Sequence, residues 1–543
     1  MSAPPALTDA TSSHPRVASI WLWLFGAVLI ACSLMFLVTT RQWPMVGDAA
    51  LLRYTVFLIG HGWAPYRDFV DINMPGAYWA TAFGMGLADS ANASWRIFDL
   101  GLIALTGVSY FVIARPYSRF AALFATAMLL LVHGQDGVQQ AGQRDLVIAA
   151  LLVMAVAFLL EAVRRDRWWY LVPFGLAVGL GATIKPTAGP LGVVLLVMAA
   201  THRAGLWGEA RRSREVVHPR GWLNWTLIGI AAMALPLAAM LLWLAHKGAL
   251  DAWLATERVL LPYYASLDRQ SLGHSLAHSI SPLEPLAGLW LVCVVLRGPV
   301  WLRFERMLIG AAVLLSLLAL LAQAKPLPYQ RYPLLAFLLL LVALDLTTAW
   351  QARGEVKRKI PRYVALAGLG YGCLVMAPRA LLRIHRFVAQ PQEFDAMLAA
   401  DLRQVGGDLN RRVQCIDTIN ECLPTLDTMR LEPATGILYD LYLFGPEKQP
   451  AVVQVRQRFL NAVEARPPAV FVVVSGFFLE GMSGYQKLDT WPAFQQWLDA
   501  HYTLAADRTP PHPVRWWGRA QPPSGYRLYV LKPRAAGSEI PLR

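Results

Sequence analysis

The chain has 543 residues, 56% of them hydrophobic and only 15% charged, with a formal net charge of +14. An ordinary soluble chain carries roughly 25% charged residues, so the composition excludes a soluble globular protein. The basic residues punctuate loops between apolar runs and build no groove-reading face, which excludes nucleic acid as a partner and points to anionic lipid.

Spanning a bilayer takes roughly 20 apolar residues. About eleven segments qualify, near 17–39, 97–114, 118–134, 145–163, 168–184, 187–201, 223–245, 283–297, 306–323, 332–350 and 363–381. The first has a longer apolar core than a signal peptide and only one Arg before it, which predicts a retained helix. Lys and Arg gather in 115–119, 164–167, 203–220, 297–306 and 353–362, so those loops and the N-terminus are expected in the cytoplasm. Loop one, the other intervening loops and the C-terminal segment are then extracytoplasmic.

Loop one, 41–96, is long for a connector. Asp48 opens a run, Ala49 to Ile59, whose mixed helical spacing predicts an amphipathic helix lying in the interface. Gly60 and Gly62 break it, and Pro75 to Leu87 reads as a second surface helix. The remaining outer loops are 133–144, the short turn at Lys185, 246–281 with Tyr263, Tyr264, His274 and His278, and 323–332 with Lys325, Tyr329 and Arg331. From about 385 the chain becomes more polar and loses spanning segments. Strands are expected near 413–417, 436–439, 469–475 and 526–531, with helices near 394–405, 450–464 and 491–501. This divides the chain into a membrane domain, 1–384, and a small α/β domain, 385–543, without a Gly-rich phosphate fingerprint. Cys415 and Cys422 could form a disulfide in an oxidising compartment, whereas Cys32, Cys293 and Cys373 read as packing residues.

Carboxylates at the outer membrane surface are the main chemical signal. Asp48 directly follows the first apolar run, where a carboxylate can take a proton from an acceptor hydroxyl beside a lipid-held donor. The plain alternative is a helix-start acid. Asp68 and Asp71 lie between Pro65 and Pro75, next to Arg67; they could hold a divalent cation, orient an acceptor, or cap a turn. No His, Cys or Glu cluster accompanies them, which leaves metal dependence open. Arg144 and Asp145 open the apolar run 145–163: an Arg there can fork onto a phosphate, and Asp145 could face Asp48 across a cavity. Lys185 lies between two apolar helices, where lysines line cavities or bind anions. Lys325, Tyr329 and Arg331 repeat that chemistry, and the ring would suit a phosphate or pyrophosphate; interfacial snorkelling explains each one singly. Asp99 reads as a structural partner. His274 and His278, four apart, have no third ligand nearby.

The arrangement resembles the GT-C membrane glycosyltransferases, in particular the bacterial branch related to protein mannosyltransferases and to the aminoarabinose and galacturonic acid transferases of lipid A. The resemblance spans 20–380 and rests on Gly47–Asp48, Pro65 to Asp71 with Pro75, Trp95–Arg96, Gln143–Arg144–Asp145, and Gly179 to Lys185–Pro186. It implies a polytopic α-helical fold with an extracytoplasmic α/β domain, in a bacterial inner membrane. It implies transfer of a sugar from a polyprenyl-phosphate donor to a lipid, glycan or protein acceptor, with Asp48 as base. Arg144, Lys185 and Arg331 would bind the carrier phosphate. Such relatives often show two adjacent acids after the first helix; here Ala49 and Ala50 follow Asp48, so Asp71 or Asp145 would supply the second. The rival readings are a secondary transporter, disfavoured by the absence of matching halves, and a non-catalytic envelope lipid-binding protein.

Overall fold

The computed structural model describes residues 15–205, 219–297, 304–325, 327–352, 359–384, 392–418, 421–477, 482–512, 514–516, 519–521 and 523–533. All eleven predicted apolar segments fall on helices. The first six are α1 (Pro15–Thr40), α4 (Ala91–Ala114), α5 (Arg119–Asp136), α6 (Arg144–Arg165), α7 (Leu171–Ile184) and α8 (Ala188–Arg203). The rest are Pro219–His246, Glu284–Arg297, Phe304–Gln323, Tyr332–Gln351 and Lys359–Ile384. By length and composition, seven of the described helices can cross a membrane, or eight if the bent pair Leu272–Ser279 and Glu284–Leu296 is one span. The count of about eleven is therefore not confirmed: α7 and α8, at 14 and 16 residues, fall short of a full crossing.

Without a hydrophobic drive between helices in lipid, close contact comes from small residues. Gly175 and Gly179 of α7, one turn apart, let the helix Pro219–His246 approach so near that a Cβ at either would overlap Ala232, Met233 or the Gly229 carbonyl. That contact holds α7, whose C-terminal end delivers Lys185. Tyr332–Gln351 is almost wholly enclosed and forms the bundle centre, while α1 presents Trp23, Leu34, Met35 and Val38 outward, as a lipid-facing helix should.

Loop one folds into α2 (Asp48–Gly60) and α3 (Pro75–Met85). Here the sequence expectation needs correction. An interfacial helix would bury one face only, but α2 is packed on both sides. Ala49 and Leu52 join the core of the helical bundle, whereas Leu51, Tyr54, Phe57 and Leu58 join a second core shared with the C-terminal region. The mixed spacing of its apolar residues therefore records two buried faces.

The C-terminal region carries a four-stranded sheet in the order β1 (Val413–Ile416), β2 (Val470–Val474), β6 (Tyr526–Leu531), β3 (Tyr502–Arg508). β1 and β2 pair in parallel; the other pairs are antiparallel, and β4 (Val514–Trp516) with β5 (Arg519–Gln521) makes a separate hairpin. Helices Gln392–Val405, Pro450–Ala465 and Pro492–His501 fall where periodicity predicts them. Two expectations fail. The segment 436–439 makes a single bridge from Ile437 to Val70 of loop one instead of a strand, and the edge strand β3, mostly exposed and alternating poorly, was not foreseen. Cys415 and Cys422 are joined in a disulfide, which ties the end of β1 to the helix Cys422–Thr428. Cys32, Cys293 and Cys373 are buried in the bundle.

Burial, reinforced by the Asp417 carboxylate, pushes the Asp395 carboxyl up to about 7 and that of Glu421 to about 8. Unfolded, these groups titrate near ~3.9 and ~4.3. A folded-state value above the unfolded one means the native state binds the extra proton, so this contribution to stability declines as pH climbs from about 4 to about 8. The C-terminal region is expected to unfold at a higher temperature at pH 6 than at pH 9. Thermal melts that move the other way across that window would refute the assignment.

Candidate active site

Four charged side chains meet where α2, α6 and the α7–α8 turn converge. Asp48 is the first residue of α2, placed there by Gly47, whose φ of 60° lies in the left-handed region. The N-terminal end of a helix favours a carboxylate. Arg144 and Asp145 open α6 in the same way, after a tight loop ending at Gly142, also at φ 60°. A Cβ at Gly142 would enter the indole of Trp95, and this close packing sets where α6 starts. Trp95 Nε1 donates to the Ala141 carbonyl (3.0 Å), and the buried Asp99 carboxylate accepts from the Gly142 amide (2.7 Å) while pairing with Arg96 and His133. Asp99 thus has the structural role its sequence context suggested.

The four groups alternate in sign. Arg144 Nη2 lies 3.4 Å from Asp48 Oδ2, and Lys185 Nζ lies 2.7 Å from Asp145 Oδ1. The exposures differ in a telling way: the side chain of Asp145 is 4% exposed, that of Asp48 35%. Asp145 is therefore a buried partner for Lys185, whereas Asp48 opens outward. The Arg144 guanidinium sits 6.0 Å from the Tyr329 ring centre, and its Nε is buried without a hydrogen-bond partner among the described residues.

Two of the four, Asp145 and Lys185, line a small cavity between α6, α8 and the helices Phe304–Gln323 and Tyr332–Gln351. Its wall is mixed: Gln323 and Gln330 add polar groups, and Ile148, Leu152, Leu191 and Leu320 are apolar. Gln330 Oε1 and Ser316 Oγ are buried along it with no partner among the described residues, and buried polar atoms of that kind call for an explanation.

The other candidates are placed elsewhere. Asp71 is fully buried and accepts from the Ile72 and Asn73 amides (2.7 and 3.1 Å), Asn73 Nδ2 (2.8 Å), Tyr78 Oη (2.9 Å) and Tyr439 Oη (3.3 Å). It sits at the seam between loop one and the C-terminal domain. Asp68 pairs with its neighbour Arg67 at 2.9 Å, which with the Ala64 amide holds its carboxyl below the usual range. Arg67 also donates to the Lys247 carbonyl, and Arg458 of the C-terminal domain donates to the carbonyls of Tyr66 and Arg67. Gly436 is required at this seam, because a Cβ there would collide with the Asp68 carbonyl. Arg331 pairs with Asp136 at 2.5 Å and with the Ser281 and His278 carbonyls. Lys325 donates to the carbonyls of Tyr264 and Leu267. His274 and His278 stack on the surface, 4.1 Å between rings, and no group of three His, Cys, Asp or Glu among the described residues is placed to hold a metal ion.

Residues 73–214 match the family model for dolichyl-phosphate-mannose-protein mannosyltransferases, a stretch that contains α3 to α8 with Arg144, Asp145 and Lys185. The chain superposes on the crystal structure of ArnT from Cupriavidus metallidurans bound to undecaprenyl phosphate, with a TM-score of 0.54 at 15% identity, over 94% of this chain and 98% of that one. The two chains share a fold. The apo structure of the same ArnT gives a TM-score of 0.53 at 15% identity, again over 94% and 98% of the two chains. The Archaeoglobus fulgidus oligosaccharyltransferase tethered to an acceptor peptide aligns more loosely, with a TM-score of 0.48 at 11% identity over 83% of this chain and 69% of that one. No match was found among curated protein sequences. The fold shared with ArnT takes in the apolar helices, the long first loop and the C-terminal sheet region as parts of one architecture.

Sequence reasoning passed over one residue. Gln330 lines the cavity from between two residues that attracted attention for their charge and ring.

Proposed function

We propose that the protein transfers a sugar from a polyprenyl-phosphate carrier to an acceptor on the extracytoplasmic face of a bacterial inner membrane, with the N-terminus in the cytoplasm. The observation that carries this reading is the alternating set Asp48, Arg144, Asp145, Lys185, two of which line a cavity whose other walls include Ile148, Leu152, Leu191 and Leu320. A carrier lipid has the same two parts, a phosphate head and a long hydrocarbon tail. The likeness in fold to an ArnT bound to undecaprenyl phosphate supports it.

In the proposed reaction Asp48 accepts the proton of the acceptor hydroxyl as that oxygen attacks the anomeric carbon. The bond from the anomeric carbon to the phosphate oxygen breaks, and its electron pair leaves with the carrier phosphate. Arg144 and Lys185 lie on the leaving side and offset the charge that develops there. A single displacement inverts the anomeric configuration. Asp145 holds Lys185 in place. Asp71 supports the site indirectly, by bonding loop one to Tyr78 and Tyr439. Asp68 and Arg67 brace the same loop beside Arg458.

The test is incubation of the purified full-length protein with a panel of polyprenyl-phosphate sugars, following release of carrier phosphate and the configuration of the product. Release with inversion is expected. Absence of turnover on every donor, together with solute flux into vesicles containing the protein, would favour a transporter instead.

A further inference from the structure

Two side chains on the wall of the cavity beside Lys185 carry buried polar atoms that bond to nothing among the described residues. Ser316 lies in the helix Phe304–Gln323 and is 4% exposed; Gln330 lies in the short turn Pro328–Arg331 and is 8% exposed. Both line the cavity, and the unpartnered atoms are Ser316 Oγ and Gln330 Oε1. A serine in an apolar helix can satisfy its hydroxyl on the carbonyl four residues earlier. Thr106, Ser109 and Thr126 do so, at 2.8 Å each. Ser316 does not, which leaves its hydroxyl to the cavity. Gln330 differs likewise from Gln323, another residue of the wall, whose amide donates to the Ala319 carbonyl (2.9 Å).

The chemistry of the walls selects the occupant. The Asp145 carboxylate and Gln330 Oε1 accept hydrogen bonds, whereas the Ser316 hydroxyl and the Lys185 ammonium donate them. Lys185 has three protons to give and spends one on Asp145, at 2.7 Å. A phosphate oxygen only accepts, and Asp145 would repel it. An ammonium only donates, and Lys185 would repel it. A hydroxyl does both and satisfies the whole set. The cavity has room for little more than a water molecule, so a hydroxyl fits and an acetamido group does not. The apolar remainder of the wall makes each hydrogen bond gained or missed there count for more than it would in water. The cavity also adjoins the reacting end of the site, because Asp145 follows Arg144 in the chain and Arg144 lies 3.4 Å from Asp48.

We propose that this cavity receives one hydroxyl group of the carrier-linked sugar, and that Gln330 and Ser316 are specificity-determining residues that read it. The proposal rests on the transferase reading above and narrows the donor to sugars whose hydroxyl at that position is free. Among mono-deoxy analogues of the polyprenyl-phosphate sugar that the wild type uses, one should be poorer in kcat/KM by about 10–100-fold, the worth of hydrogen bonds to charged and buried partners. Gln330→Leu should lower kcat/KM for the parent donor about tenfold and leave that analogue unaffected, so discrimination between the two shrinks by the same factor. Ser316→Ala should act in the same direction with a smaller loss. A residue that only shapes the fold would slow both donors equally.

Equal proportional losses on parent and analogue in Gln330→Leu would overturn the proposal, as would a wild type that uses every deoxy donor as well as the parent. If Gln330→Leu does not fold, Ser316→Ala decides by the same comparison. If the wild type turns over no donor, the transfer reading fails and binding decides the cavity. At least one polyprenyl-phosphate sugar should then raise the melting temperature of the wild type more than polyprenyl phosphate does, with the difference reduced in Ser316→Ala. No such difference in the wild type, or the same difference in the variant, would refute the hydroxyl seat.

Discussion

Replacing Asp48 by Asn should lower the rate of sugar transfer roughly 10²–10⁴-fold, the usual worth of a general base. The amide keeps the size of the side chain and can still bond to Arg144, but it cannot take the acceptor's proton. The loss should fall on kcat, with binding of the carrier-linked sugar little changed. Folding should be unaffected, because Asp48 is about one-third exposed and its ion pair with Arg144 is long, at 3.4 Å; pairs of that kind contribute little to stability. An Asp48→Asn protein that transfers sugar at more than a tenth of the wild-type rate would remove the mechanism's base.

Arg144→Gln should reduce kcat by about 10²–10³-fold, the cost of deleting one preorganised donor to a developing anion. Arg144→Lys should recover only part of this, since an ammonium replaces the fork of a guanidinium with a point charge. Arg144 is the better probe of the two cations. Removing Lys185 would strand Asp145, whose side chain is 4% exposed, and an unpaired buried charge typically costs about 3–5 kcal/mol of stability. Activity losses at Lys185 would then mix chemistry with folding, whereas at Arg144 a normal melting temperature beside lost turnover isolates the chemistry. Full activity in Arg144→Gln would exclude it from the leaving-group side.

The two expected losses differ in kind. Asp48 moves a proton, so its loss should change the pH dependence of kcat. Arg144 carries a fixed charge, so its loss should lower the rate at every pH. The coupling between them should show as a double variant no slower than about the slower single, because groups acting in one transition state are strongly non-additive.

Much of the architecture was legible from local pattern. Apolar run length located all eleven helical segments, because the hydrocarbon thickness sets the number of residues required. It did not by itself fix the number of crossings, since runs such as Leu171–Ile184 are apolar enough but shorter than a full span. Strand β2 was legible because both faces are covered and its sequence is continuously apolar, and β1 and β6 because they are mostly apolar or aromatic. The exposed edge β3 lacked that signal. At the site, the Arg144–Asp145 pair was recognisable from its place at the start of an apolar run, and Lys185 from the cost of a cation between two apolar helices.

The sequence by itself determined where the helices run, which loop ends carry acids and bases, and that these groups crowd one surface. Those properties follow from composition and spacing over a few turns. Only the tertiary structure decided which charge meets which. Asp48 and Asp71 are both loop-one carboxylates, but one opens outward beside Arg144 and the other is enclosed by Tyr78 and by Tyr439, 368 residues further along the chain. Lys185 and Lys325 are likewise similar in sequence, yet one lines the cavity and the other grips a helix end. The reason is that a charge at the edge of hydrocarbon must find a partner to be tolerated, and the partner within reach is set by how distant helices pack, which no local pattern records.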